Sequence, residues 1–157
     1  MNLVEIGSAV VWVDFFTILL SKVFHLGKSL DKWYANFGSV AILSDCLVIV
    51  LGILIAQFLA PNVNAITLAG IAIIIQLIHD VLFYYIVILG VPRGQNSIID
   101  LFKDYAVENS WKILVADSAM IGTTVLLADY LSTLKATHTS FVGLLGVYAL
   151  TYIMYTK

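Results

Sequence analysis

Long runs of hydrophobic residues alternate with short polar connections along this chain. A helix needs about 20 mostly apolar residues to cross the hydrocarbon core of a bilayer. Five runs have that length, at about 6–27, 39–60, 65–91, 111–131 and 137–156. Stretches such as CLVIVLGILIA lack the alternation of lipid-facing and lumen-facing residues that a membrane β-barrel requires. The pattern predicts an all-α, polytopic membrane helix bundle with five transmembrane helices, formed by one domain that spans residues 1–157.

The connection at 92–110 has a helical pattern of its own. Ser97 followed three residues later by Asp100 forms a capping-box pattern, which marks a helix start. From 98 to 108, apolar and charged residues occupy opposite helical faces. The charged face holds Asp100, Lys103, Asp104 and Glu108. This pattern predicts a short amphipathic interfacial helix, either on the membrane surface with its charged face toward a partner, or packed over the bundle's own cytoplasmic end.

The composition agrees with a membrane protein. Hydrophobic residues make up 61% and charged residues 11% of the chain, against about 45–50% and about 25% in soluble domains. Eight basic residues are dispersed among ten acidic ones, so the chain lacks the basic patch that nucleic-acid binding uses. The motifs Gly-x-Ser-x-Gly and His-Glu-x-x-His and the phosphate loop do not occur. We therefore expect no enzyme, no cofactor and no nucleic-acid partner.

Lysine and arginine residues fall mostly on one side of the predicted bundle. The loops after predicted helices 1 and 3, the helix ends beside these loops and the C-terminus all lie on one side. This side holds Lys22, Lys28, Lys32, Arg93, Lys103, Lys112 and Lys157. The opposite side holds only Lys135. By the positive-inside rule, the N-terminus faces the outside or the lumen, and the C-terminus faces the cytoplasm.

Two stretches of the chain, 32–60 and 103–132, resemble each other. The sequence Lys-x-Tyr-Ala recurs at the start of both, and both carry an aspartate in the apolar run that follows. The alignment pairs Asp45 with Asp117, and its extension pairs Asp14 with Asp80. Because each unit has two spans, the units point the same way and form a parallel internal repeat. The alternative is a chance match, since apolar sequences align easily.

Each of the first four predicted helices carries one aspartate well inside its span, namely Asp14, Asp45, Asp80 and Asp117. A carboxylate at a helix centre costs at least about 2.5–3.5 kcal/mol on insertion scales, so such residues face the bundle interior and need partners. The acids form either a proton or cation path, extended by His79 and Asp129, or hydrogen bonds between helices. In the second case Lys22 or nearby Ser and Thr hydroxyls are the expected partners. His79-Asp80 stands alone in its run, so the sequence predicts no metal site.

The segment PRGQNSIIDLFKDYAVENSWKILVADS, at 92–118, and the stretch ILSDC, at 42–46, resemble a group of small multi-span membrane proteins encoded by large double-stranded DNA viruses of algae and protists. The resemblance carries no catalytic motif. It implies a protein of the internal virion membrane, beneath an icosahedral capsid and derived from host endoplasmic reticulum.

Taken together, these features lead to two expectations about function. The first is a structural membrane protein that contacts the capsid layer through Asp100, Lys103, Asp104 and Glu108. The second is an oligomeric ion channel or proton-coupled transporter that uses the intramembrane aspartates. The expected partners are the lipid bilayer, other membrane or capsid proteins, and further copies of the chain.

Overall fold

The computed structural model describes residues 1–156, and over these residues the chain is all α-helical. Lys157, counted above among the basic residues, lies outside the described residues. The helices are α1 (Leu3–Phe24), α2 (Lys28–Phe37), α3 (Ser39–Leu59), α4 (Ala65–Leu82), α5 (Ser97–Asn109), α6 (Lys112–Ser132) and α7 (Ala136–Ile153). A π-helical turn, Phe83–Ile88, continues α4. The all-α prediction is confirmed.

Four of these helices are long and apolar enough to cross a membrane: α1, α3, α4 with its π-helical turn, and α6. The fourth span of the sequence prediction, 111–131, corresponds to α6. The fifth predicted run corresponds to α7, which has 18 residues. Its first turns contain Thr137, His138, Thr139 and Ser140, which lower its mean hydropathy. By length and composition alone, α7 is therefore not among the four.

The long helices form one bundle. α1 packs against α3, α6 and α7, and α4 packs against α3 and α6. The buried residues of α1, α3, α4 and α6 form one apolar core that includes Ile6, Ile53, Ile121 and Val125. On the outside of the bundle, α7 packs closely against α1. At Gly146 this is possible because glycine has no side chain: a Cβ atom there would lie only 2.7 Å from Val11.

The two short helices, α2 and α5, lie together at one end of the bundle. We call this pair the platform. The rings of Trp33 on α2 and Phe102 on α5 are 4.8 Å apart, and both helices also contact the long helices beneath them. The chain therefore runs long, short, long through α1–α2–α3 and again through α4–α5–α6, before α7 ends the described chain.

Sequence reasoning did not predict α2. Its signal is an amphipathic pattern, since Leu30, Trp33, Tyr34 and Phe37 recur at helical spacing and pack into a common core. The capping box predicted at Ser97 was also wrong, because Asn96 is the N-cap of α5 and its side chain accepts from the next N–H groups. Helix α5 itself covers the stretch 98–108 for which the sequence predicted a helix.

Candidate functional site: a chain of buried acids beneath the platform

Asp45 lies on α3, six residues after Ser39 and about 9 Å along the helix axis. Its carboxyl accepts hydrogen bonds from Trp33 Nε1 at 3.1 Å and from Tyr34 Oη at 3.1 Å. Both donors are on α2 and are almost completely buried. Asp45 therefore fastens the platform to the long helices.

Lys22 does not pair with Asp45. Its ammonium group donates to the backbone carbonyl of Thr156 at 2.6 Å. This contact forms because the last turn of α1 lies beside the residues that follow α7. The Lys22–Asp45 ion pair considered from the sequence does not form; Asp45 instead accepts from two uncharged donors on α2, Trp33 and Tyr34.

Asp14 is fully buried on α1. The thiol of Cys46 on α3 lies 3.9 Å from its Oδ2, a long and weak contact. Its Oδ1 has no hydrogen-bond partner among the described residues. Because Cys46 is the residue after Asp45, its contact with Asp14 joins α1 to α3 one residue away from Asp45.

Asp80 lies on α4 beside the π-helical turn. Its Oδ1 accepts a hydrogen bond from Gln76 at 2.7 Å and lies 3.1 Å from Nδ1 of His79. Its Oδ2 is buried and has no partner among the described residues. The His79 ring stacks on Phe83, the first residue of the turn, with centroids 5.7 Å apart. π-helical turns within α-helices occur frequently at functional sites.

Asp117 on α6 completes the set. Asp14, Asp45, Asp80 and Asp117 lie on four different helices, α1, α3, α4 and α6. We call these four residues the acid chain. Asp14 is fully buried and the other three side chains are partly buried, and a path through them stays a prediction.

Asp129 does not join the acid chain. It lies twelve residues beyond Asp117 on α6, about 18 Å along the axis, and its side chain is exposed. It lines a cavity of about 430 Å³ at the far end of the bundle, together with Gln57. Between Asp117 and Asp129, α6 buries the side chains of Ile121 and Val125. An apolar layer thus separates Asp129 from the other aspartates.

Two charged residues of α5 hold the turn that precedes this helix. Asp100 accepts a hydrogen bond from the backbone N–H of Gly94 at 2.8 Å. The ammonium group of Lys103 donates to the backbone carbonyl of Val91. Both side chains are therefore engaged within the chain itself.

The other two charged residues of α5 bind Arg93, in the connection before α5, and the first turn of α2. Asp104 pairs with Arg93 at 2.9 Å, and both side chains are about half exposed. Glu108 accepts from the backbone N–H groups of Ser29 and Lys28, each at 2.8 Å. Hydrogen bonding from the side chain and then the backbone of Ser29, and after these from the backbone of Lys28, lowers the pKa of Glu108. Glu108 thus caps α2, because the N-cap residue of this helix, Gly27, has no side chain that could accept from its first N–H groups.

Two tyrosines of the platform were not predicted as site residues. Burial, and then the charge of Asp45, raise the pKa of Tyr34 well above its usual range. Burial, and then the charges of Asp117 and Asp45, raise the pKa of Tyr105. The available signal was the recurring Lys-x-Tyr-Ala sequence, which contains both residues.

Among residues 1–156, no group of three or more His, Cys, Asp or Glu side chains is arranged to hold a metal ion. No family model, curated protein or solved structure matches the chain.

Proposed function

We propose that the chain crosses the membrane five times, with α7 as the fifth span and the platform on the cytoplasmic side. The charge distribution supports this orientation. The platform end carries Lys22, Lys28, Lys32, Arg93, Lys103 and Lys112. The opposite end carries Lys135, immediately before α7. This bias gives the orientation with the N-terminus outside or in the lumen.

We also propose that the chain is a parallel internal repeat. The two units are α1–α2–α3 and α4–α5–α6, related by an axis along the membrane normal. Three observations support this: the same order of long and short helices, the Lys-x-Tyr-Ala sequence in both short helices, and an aspartate early in both α3 and α6.

For the function, we propose a structural integral membrane protein that presents the platform to a protein layer. The observation that carries this proposal is the attachment of the platform, because Asp45 binds α2 to α3 and Glu108 binds α2 to α5. Because the Asp45 carboxyl holds α2 in place through these hydrogen bonds, it favours a platform that is fixed relative to the long helices. The resemblance of 92–118, which covers α5 and the start of α6, supports a setting in the internal membrane of a large DNA virus, with the capsid as partner.

Cross-linking of intact virus particles with an amine-reactive reagent tests this proposal. We expect Lys28 or Lys32, which are exposed on α2, to be linked to a capsid protein. Lys135, exposed at the opposite end, is the internal control. Links from Lys135 to the capsid, with none from α2, would contradict the proposed orientation and partner.

A second candidate function, a proton path through the acid chain, is favoured by a different observation. Asp14 Oδ1 and Asp80 Oδ2 are buried and have no hydrogen-bond partner within residues 1–156, whereas a purely structural role would give these oxygens donors. The Ser8 hydroxyl donates to the backbone carbonyl of Thr139 at 3.1 Å, and the Thr124 hydroxyl donates to that of Met120 at 2.8 Å, so neither hydroxyl serves an aspartate. Proton flux into liposomes separates this candidate from the structural one.

A further inference from the structure

A cavity of about 370 Å³ is lined by residues of both short helices of the platform. We call it the platform cavity. Three basic side chains line it: Lys28 and Lys32 of α2, and Arg93 from the connection before α5. Lys28 and Lys32 are exposed and lie one helical turn apart. The volume is within the range of small-molecule sites, about 300–1,000 Å³.

The two acids that line the platform cavity already have partners. Both carboxylate oxygens of Glu108 accept from backbone N–H groups at the start of α2, and Asp104 pairs with the arginine of the cavity. Among residues 1–156, neither Lys28 nor Lys32 forms an ion pair with a carboxylate. Asp31, which lies between them in the sequence, is not among the lining residues. The cavity therefore has two ammonium groups available for an anion.

The position of the platform cavity along the bundle favours a lipid as the source of this anion. Trp111 is exposed and lies directly before α6, one of the helices that are long enough to cross a membrane. Tryptophan is enriched at the membrane–water interface. Val107, which lines the cavity, is 84% exposed, and Phe24 at the end of α1 is exposed four residues before Lys28. Exposed apolar side chains and basic ones thus occur together at the level where lipid headgroups lie.

We propose that the platform cavity binds the headgroup phosphate of an anionic phospholipid, with Lys28 and Lys32 as its cationic partners. Lysine ammonium groups bind phosphate as point charges, and basic pockets beside membrane helices bind anionic headgroups. A free phosphate would engage the lysines only, whereas the chains of a lipid would also cover Val107. The proposal requires that α1 and α6 cross the membrane. It depends on neither proposed function, and its test uses purified protein, so the two can fail separately.

Lipid titration in neutral micelles tests the site. Energy transfer from the tryptophans to a dansyl group on the lipid chain measures the dissociation constants of phosphatidic acid and of phosphatidylcholine. We expect phosphatidic acid to bind more tightly. Lys32→Gln should weaken its binding about fivefold, and Lys28→Gln/Lys32→Gln about thirtyfold. Lys112→Gln, which removes an exposed lysine at the same end of the bundle but outside the cavity, is the matched control. Equal binding of the two lipids, or equal effects of Lys32→Gln and Lys112→Gln, would overturn the proposal.

A substitution with the opposite effect separates loss of binding from loss of fold. Val107→Lys adds a positive charge to the cavity while its aliphatic stem keeps an apolar contact. This variant should bind phosphatidic acid about fivefold more tightly, and Val107→Glu should bind it less tightly. A misfolded variant would not gain affinity. Unchanged or weaker binding by Val107→Lys would overturn the proposal.

Inorganic phosphate distinguishes a lipid site from a site for the free anion. The bound dansyl-labelled phosphatidic acid is challenged with sodium phosphate and with sodium chloride at equal ionic strength. We expect the two salts to have the same effect, because the free anion cannot replace the apolar contacts of the lipid. Displacement by phosphate beyond that by chloride would overturn the assignment to a lipid.

Discussion

Tyr34 on α2 donates a hydrogen bond from its hydroxyl to Asp45 on α3, with 3.1 Å between the oxygens. Trp33, the preceding residue, donates to the same carboxyl. An acid inside a hydrophobic helix thus has a specific structural task. It satisfies two donors that α2 buries as it packs against the end of the bundle.

Replacement of Asp45 should therefore destabilise the platform. Asp45→Leu leaves the Trp33 and Tyr34 donors buried without an acceptor, and each such group costs about 1–3 kcal/mol. Asp45→Asn keeps one acceptor and should cost less. The unfolding free energy in mixed micelles measures both effects. Asp129→Leu, at an exposed position, is the control and should change little. Equal stability of Asp45→Leu and wild type would contradict the assignment.

Attachment of α2 should also depend on pH through Glu108. Hydrogen bonds from Ser29 and Lys28 lower the pKa of Glu108 in the folded chain. A lowered pKa means that the ionised form stabilises the fold above the unfolded pKa of glutamate, about 4.3. This contribution is lost as the pH falls through that value and then through the lower folded one.

Amide hydrogen exchange of α2 checks the pH dependence. We expect Glu108→Gln to reduce the protection of Lys28 and Ser29 at pH 7. The difference from the wild type should shrink as the pH falls below about 4.3. Asp104→Asn, which changes the exposed pair with Arg93, is the matched control. A difference that grew at low pH would have the wrong sign.

The contact between α1 and α7 should be sensitive to one methyl group. A Cβ atom at Gly146 would lie 2.7 Å from Val11, whereas at Gly7 nothing lies within 4 Å. We expect Gly146→Ala to destabilise the chain by about 1–3 kcal/mol, the usual cost of overpacking. Gly7→Ala should instead stabilise it by about 0.5–1 kcal/mol, because alanine is the better helix former. Chemical unfolding of both variants compares the two; the same sign for both would be inconsistent with this packing.

The sequence was sufficient for the all-α class and the apolar runs, because the length and composition of a run determine whether it can cross a membrane. It could not supply the partners of Asp45, since these lie on α2, a short helix in a stretch interpreted as a loop. Lys22 was the nearest candidate by depth, yet depth does not specify the direction of a side chain. Similarly, Asp129 was grouped with the other acids although α6 places it about 18 Å from Asp117.

Proton flux into liposomes tests the structural proposal most directly. Wild type is compared with Asp45→Asn/Asp117→Asn at matched incorporation, and with Asp129→Asn as control. The structural account predicts that wild-type vesicles show no more proton or potassium flux than protein-free vesicles. Wild-type flux that disappears in the double variant and persists in Asp129→Asn would contradict it and make the acid chain a pathway.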